Sequence, residues 1–455
     1  MLTKLPSKIT KKSSINRTFL TTSTSVTLFS TLFSTLFSLF LSPLSASPDL
    51  SHPLSLSELV DIALENNPST SAAWWNARRA AAAVGSAKSA YYPKISLEGL
   101  VQNGRDFKFI NGPDVDYTIV GADLVLSMIL YDSGERDANV NAAQQLLLAA
   151  NWQADRNIQR VMVRVLENAY ATLHAQEVLQ AAHFSLEDAE KVWTTARELN
   201  RVGLSSVSDV YTAQAALSQM KMDLSMQKAL LDIQRGKLAA SLGLTAITNL
   251  ELSPLDPIHA PQPAQTKELI NLANRERADL MAKQAQLNEA YNRYDQSRAA
   301  YGPKLSLGGR GGVNHAFYNR ENGGQYQIAV NLNVPIFTGF EATYQNNMAY
   351  ANINLSKAEL ADLQLEIALD VLTQSRTLQA AQEMLHDAED NLANSLKAYE
   401  GMLAKYKAGT EGITDVSNAQ RQLAAARVRY SDVKTRWLVS IANLAYATGI
   451  ITSRR

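Results

Sequence analysis

Two apolar rhythms run along this chain, and each occurs twice. Ile95, Leu97, Gly99 and Val101 alternate with Ser96, Glu98, Leu100 and Gln102. A polar stretch with Gly104, Asn111-Gly112-Pro113 and Asp116 follows. Thr118, Val120, Ala122, Leu124, Leu126 and Met128 then line one side of a second strand. Further on, Leu305, Leu307, Gly309 and Gly311 alternate with Ser306, Gly308 and Arg310, and Tyr326, Ile328, Val330, Leu332 and Val334 alternate with Gln327, Ala329, Asn331 and Asn333. A period of two means one apolar and one polar face, so β-hairpins are expected over 94–130 and 304–336.

The second rhythm is helical. Arg136 to Arg201 contains neither proline nor glycine, and the same holds from Glu341 to Glu400. A helix of that length extends about 100 Å at ~1.5 Å per residue. Ile158, Val161, Val165, Ala169 and Leu173 step by three and four, as a coiled-coil seam does. Val161 and Val165 correspond to Ile367 and Val371 in the later stretch. Shorter helices are expected from Leu56 to Asn67, where Pro68 interrupts, from Ser71 to Tyr91, ended by Pro93, and from Lys267 to Arg277. At Gly203 the first long helix stops. A return helix starts near Val207 and runs to Gly243, with Ser205, Ser206 or Ser208 as its N-cap.

The two series are echoes of one another. Gly203, Asp209 and Gly243 return as Gly409, Asp415 and Gly449, each 206 residues later. Ala90-Tyr91-Tyr92-Pro93-Lys94-Ile95-Ser96-Leu97 returns as Ala300-Tyr301-Gly302-Pro303-Lys304-Leu305-Ser306-Leu307. Residues 47–254 and 255–455 are therefore expected to be two tandem repeats, each with one β-hairpin and one helical hairpin, turning near 203 and 409. Residues 1–46 precede them. Lys4, Lys8, Lys11, Lys12 and Arg17, the apolar run Val26 to Leu41, and Pro43-Leu44-Ser45-Ala46 read as an export signal cleaved after Ala46. The competing reading is an uncleaved anchor.

Composition narrows the function. Lysine plus arginine and aspartate plus glutamate both number 43, so nothing electrostatic argues for nucleic acid. There is no cysteine, which excludes disulfides, thiolate chemistry and a lipoprotein-type acylation site. Mean hydropathy is -0.16, too polar for a bundle of transmembrane helices. Four strands of membrane-spanning length cannot close a barrel, since transmembrane barrels start at about eight. The chain must oligomerise if they cross a membrane. Two copies would supply eight strands and three copies twelve, and periodicity does not choose between them.

Catalytic chemistry is not apparent. The six histidines form no HExxH motif. Glu383-Met384-Leu385-His386 is a lone Glu-x-x-His, better read as a solvated helix face. Gly308-Gly309-Arg310-Gly311-Gly312 lacks the lysine and following helix of a phosphate loop, and its place in a strand suggests tight packing or a bend. Neither a catalytic residue nor a cofactor is expected.

The chain resembles the TolC-like family of outer-membrane channel proteins over about Leu54 to Gly449. The marks are Leu59…Ala63-Leu64…Asn67-Pro68, Tyr92-Pro93-Lys94-Ile95, Gly203…Ser206…Asp209-Val210, and Tyr406…Gly409-Thr410…Asp415-Val416, in duplicate order. The resemblance implies a mainly α fold with a small β part. A long α-helical coiled-coil barrel would join a transmembrane β-barrel built from four strands per chain, twelve in a homotrimer. It implies a passive duct in the outer membrane reaching into the periplasm, serving tripartite efflux or type I secretion. Its partners would be a periplasmic adaptor (a membrane fusion protein), an inner-membrane pump or ABC transporter, and outer-membrane lipid. Gly203, Leu204, Ser205, Gly409, Thr410 and Glu411 would form the adaptor-docking turns. Asp209, Tyr406, Asp415 and Asn418 would form the periplasmic gate, Asp415 as a constriction ring and Tyr406 with Asp209 as a link between turns. Two positions depart from the family: Asn418 where a second acid often stands, and Glu411 where an arginine sometimes does. Both imply a weaker ring and a less tightly latched tip, with two acids repelling one another. The alternative is a periplasmic coiled-coil adaptor or interaction protein. That reading lacks the lipoyl-like β-domain an adaptor should carry.

Overall fold

The computed structural model describes residues 52–106, 115–253, 265–317 and 321–451. The export signal, the Asn111-Gly112-Pro113 loop and the expected repeat boundary at 254/255 lie outside them. Among the described residues no helix is long and apolar enough to cross a membrane.

The elements follow in order α1 (Leu56–Asn66), α2 (Pro68–Lys88), β1 (Lys94–Asp106), β2 (Val115–Tyr131), α3 (Glu135–Arg201) and α4 (Val207–Ser241). The same order recurs as α5 (Thr266–Glu276), α6 (Ala278–Ala300), β3 (Lys304–Ala316), β4 (Glu321–Asn333), α7 (Glu341–Lys407) and α8 (Ile413–Thr448). Helices α3 and α7 are each 67 residues long. The second outruns its glycine-free stretch: Gly401 lies inside α7, exposed, with nothing near its Cα hydrogen to disturb the turn. An isolated helical glycine costs about 1 kcal/mol, which 66 other helical residues absorb. The strands run 13, 17, 13 and 13 residues, longer than the apolar alternation alone indicates. The second hairpin ends at Asn333, short of the expected 336, because Pro335 cannot donate to a ladder.

The helices form one layer. Near the sheet, α2 packs on α3, α3 on α6 and α6 on α7; farther away, α4 packs on α3, α3 on α8 and α8 on α7. Each level is thus four helices wide, with α2 and α4 at one margin and α7 at the other. Of the expected seam, Val161, Val165 and Ala169 are buried against α1 and the end of α4, while Ile158 and Leu173 are half-buried. Ile367 and Val371 are buried likewise, against α5 and α8.

The strands make one antiparallel sheet in the order β1-β2-β3-β4. Its register aligns Leu97 with Leu124, Leu124 with Gly311, and Gly311 with Tyr326, so all four apolar sets share a face. That face is bare: Leu97 is 76% and Ile328 77% exposed. Beyond it, Asn103 donates to Thr118 and Arg105 pairs with Asp116, so the apolar band ends in polar pairs. Among the described residues the outer edges of β1 and β4 have no partner strand.

The four glycines of the 206-residue echo are four helix ends. Gly203, Gly243, Gly409 and Gly449 have φ of 80, 80, 73 and 80°. In each case the next residue's N–H reaches the carbonyl five residues back, as Leu204 does to Leu199 at 2.9 Å and Thr410 to Lys405 at 3.0 Å. This is the Schellman closure, which an L side chain disfavours. Gly243 and Gly449 also sit against the α1–α2 and α5–α6 elbows. There Asn67 donates to the Ser241 carbonyl (2.8 Å) and Arg277, its counterpart, to the Ala447 carbonyl (3.2 Å). Arg277 is buried and also binds Asp279 and Asp370, both at 2.8 Å. Burial pushes the Asp279 carboxyl up, but the Arg277 hydrogen bond and the charges of Arg156 and Arg277 outweigh it and hold its pKa below the ordinary range.

Candidate functional site

The expected docking turns are the two reversals at the end remote from the sheet. Helix α3 ends at Arg201 and α4 begins at Val207; α7 ends at Lys407 and α8 begins at Ile413. Apolar residues of all four helices meet there, including Val192, Ala213, Tyr399, Tyr406 and Val416. Gly203, Leu204, Gly409 and Thr410 are exposed. A Cβ on either glycine would meet nothing within 4 Å, so only their φ demands glycine.

The first turn is closed by side chains. Of the three candidate serines, Ser206 is the N-cap, in a reciprocal capping box with Asp209. Ser205 donates to the same carboxylate at 2.7 Å, and Asn200 to the Ser205 carbonyl at 2.8 Å. The Ser205 hydroxyl is the chief reason the Asp209 carboxyl titrates below the ordinary aspartate range, with the Ser206 hydrogen bonds adding to it. The second turn is built differently. Gly412 supplies no side-chain cap, Thr410 donates back to the Lys405 carbonyl at 2.9 Å, and Lys405 pairs with Glu411 at 3.2 Å. Within the chain, the charge that faces Glu411 is that of Lys405 on its own turn.

Tyr406 is buried beside the first turn. Burial pushes its phenol pKa up, the Ser205 hydroxyl opposes this, and the Asp209 charge adds to it. It is the Ser205 hydroxyl that donates to the Asp209 carboxylate, at 2.7 Å. Asp415 and Asn418 lie exposed on α8, and Arg421 donates to Asn418. The position of the missing second acid thus carries an amide with a cation attached.

Two clasps that hold α3 to α8, the first joined by Tyr399 of α7, were not anticipated. Arg427 reaches Asp188 at 3.0 Å, while Tyr399 donates to the Asp188 carbonyl and Gln420 to that of Ser185, both at 3.4 Å. Nearer the elbows, Ser431 donates to Glu177 at 2.7 Å and Lys434 binds its other oxygen at 2.6 Å. With its one proton committed, Ser431 can only accept from His174 Nδ1, at 2.8 Å. A signal existed. Ala181, Ser185, Asp188, Val192 and Ala196 step by fours and a three along the buried stripe of α3, so Asp188 is a charge in a seam.

Glu383 and His386 lie on an exposed face of α7. Gln379 donates to Glu383, and His386, largely exposed, lies 3.9 Å from Asp390. Among the described residues no group of three or more acidic or histidine side chains could hold a metal ion.

Known proteins share this architecture. Over 87% of its length the chain superposes with a TM-score of 0.75 on the CmeC outer membrane channel of Campylobacter jejuni, at 19% identity and covering 85% of that chain. It superposes with a TM-score of 0.74 on the outer membrane protein VceC of Vibrio cholerae, at 18% identity and covering 87% of this chain and 96% of that one. In sequence it is 28% identical over 403 residues to the protein CyaE of Bordetella pertussis, covering 86% of this chain and 83% of that protein. It is 23% identical over 415 residues to the outer membrane protein TolC of Vibrio cholerae, covering 88% and 92%. The model of the outer membrane efflux protein family matches residues 59–244 and 269–450, and the chain belongs to that family.

Proposed function

We propose that the chain is the outer-membrane duct of a tripartite efflux pump or a type I secretion system, a homotrimer that conducts passively. The open sheet carries this reading. Among the described residues one continuous apolar face is bare, and both edge strands lack partners. An unpaired edge in lipid costs several kcal/mol per orphaned group, so only a closed barrel is stable there. A second copy satisfies β1 and β4 together. It also covers the wall margins, where Trp74 and Trp75 of α2 and Leu365 and Leu369 of α7 are exposed. Three copies give twelve strands and a wall twelve helices around. Its location is the outer membrane. Aromatic residues at the strand bases, Tyr92, Tyr131, Phe337 and Phe340, suit the interface with lipid headgroups.

The turns at Gly203-Leu204-Ser205 and Gly409-Thr410-Glu411 dock a periplasmic adaptor, which links the duct to an inner-membrane pump or ABC transporter. The exposure of Gly203, Leu204, Gly409 and Thr410 supports this. Asp209, Tyr406, Asp415 and Asn418 form the gate. Three Asp415 carboxylates would gather at the entrance and favour cations. No step requires a catalytic group. The experiment is reconstitution in a planar bilayer after outer-membrane fractionation. Stepwise conductance from a detergent-stable trimer is expected; a monomer in the soluble periplasmic fraction, without conductance, overturns the reading.

A further inference from the structure

The glycine-rich run Gly308-Gly309-Arg310-Gly311-Gly312 lies in β3, and Arg310 points to the polar face of the sheet. Its neighbours on that face are Gly308 and Gly312, so no side chain flanks it along the strand. One register row links Glu98 of β1 to Asp123 of β2, Asp123 to Gly312 of β3, and Gly312 to Gln325 of β4. Arg310 reaches across this row. Its guanidinium lies 3.0 Å from Glu98 and 3.6 Å from Asp123. Gln325 closes the row from the other side, donating to both Asp123 oxygens at 3.0 and 3.2 Å.

Gly312 is what permits the row. A Cβ there would stand 2.1 Å from an Asp123 carboxylate oxygen. Its absence lets that carboxylate lean across β3 and meet Gln325. A single chain of polar contacts therefore spans the full width of the sheet, from edge strand to edge strand.

We infer that Glu98, Asp123 and Arg310 form a charge-selective belt inside the barrel bore. The inference rests on the duct reading, which sends the apolar face to lipid and this face to the bore. Beyond Lys94 and Lys304 at the strand starts, Glu98, Asp123 and Arg310 are the charges on this face among the residues whose side chains are described. Two carboxylates against one guanidinium leave one net negative charge per chain, hence three around a trimeric belt. Rings of charged side chains set ion preference in pores. The belt favours cations and acts at the exit, far from the entrance ring at Asp415. Arg310 is the element that tempers it.

The test is the cation-to-anion permeability ratio from zero-current potentials in a potassium chloride gradient. It is made in an Asp415→Asn background so that the entrance ring does not mask the belt. Arg310→Gln should raise the ratio about twofold and Glu98→Gln should lower it about twofold, the sign following the charge removed. Glu98 is half-exposed and, among the described residues, its side chain is bound by Arg310 alone, so its loss should leave the sheet intact. Conducting channels with an unchanged ratio in both variants overturn the belt and leave the duct reading standing. If the unsubstituted protein forms no channel, the duct reading falls and the belt with it.

Discussion

Arg427 of α8 holds Asp188 of α3 at 3.0 Å, with both side chains largely out of water. The pair crosses the interface between the two helical hairpins. Any movement of α8 away from α3 must break it, and Asp188 then retains only Lys191, at 3.4 Å, on its own helix. Breaking such a pair from one side is costly because a charge is left without its partner.

Arg427→Ala should therefore lower stability by about 2 kcal/mol, toward the lower end for a buried pair because Lys191 remains. Asp188→Asn with Arg427→Gln should cost less than the sum of the single changes. Urea unfolding of the four proteins checks this, and additive losses would show the pair uncoupled. In bilayers the single variants should open more often than the parent.

The Ser205–Asp209 cap makes the first turn sensitive to acid. The folded Asp209 pKa is depressed, so its contribution is present above the unfolded value and is lost as pH falls through the folded one. The window lies at and below the ordinary aspartate range. Ser205→Ala should raise the Asp209 pKa toward that range, as read by carboxyl NMR titration. An unmoved pKa would show that Ser205 is not its chief cause.

The four repeated glycines should separate into two pairs. Gly203→Ala and Gly409→Ala face only an unfavourable φ, about 1 kcal/mol each. At Gly243 a Cβ meets the Asn66 carbonyl oxygen at 2.4 Å, and at Gly449 it meets Glu276 backbone atoms at 2.9 Å. Those substitutions should cost roughly 3 kcal/mol or prevent folding, since strain and overpacking combine. Thermal unfolding distinguishes the pairs. The two tip variants should still fold but cross-link less to the adaptor, and parental cross-linking in both would remove the turns as its docking site.

Glu411→Gln removes only an exposed pair with Lys405, so stability should change by less than about 0.5 kcal/mol. Glu411→Arg is a different test. A guanidinium there could bind an acid of the neighbouring turn, and single-channel opening should fall. Opening statistics like the parent's would show that this position does not latch the tip.

Much of the architecture was legible because it is periodic. The two-residue rhythm placed Leu97 and Ile328 each on the apolar face of its own strand, and the three-four rhythm with its echo identified Val165 and Val371 as seam. Glycines at 203, 243, 409 and 449 marked the helix ends. The candidate turns were readable from the same echo, but their internal bonds were not. Which of three serines caps α4, and that Lys405 rather than an acid answers Glu411, depends on rotamers and on separations of a few ångströms. Asp188 and Arg427 are 239 residues apart, and no local rule joins them.

The sequence by itself determined the kinds of element, their order and their recurrence, since these follow from side-chain periodicity and backbone preferences acting over a few residues. Tertiary structure alone decided what those elements hold together. It made one sheet of two hairpins, brought Arg310 of one hairpin against Glu98 and Asp123 of the other, and set Arg427 against Asp188. Such pairings depend on the register between distant segments, which is fixed only when whole surfaces pack and each buried charge must find a partner.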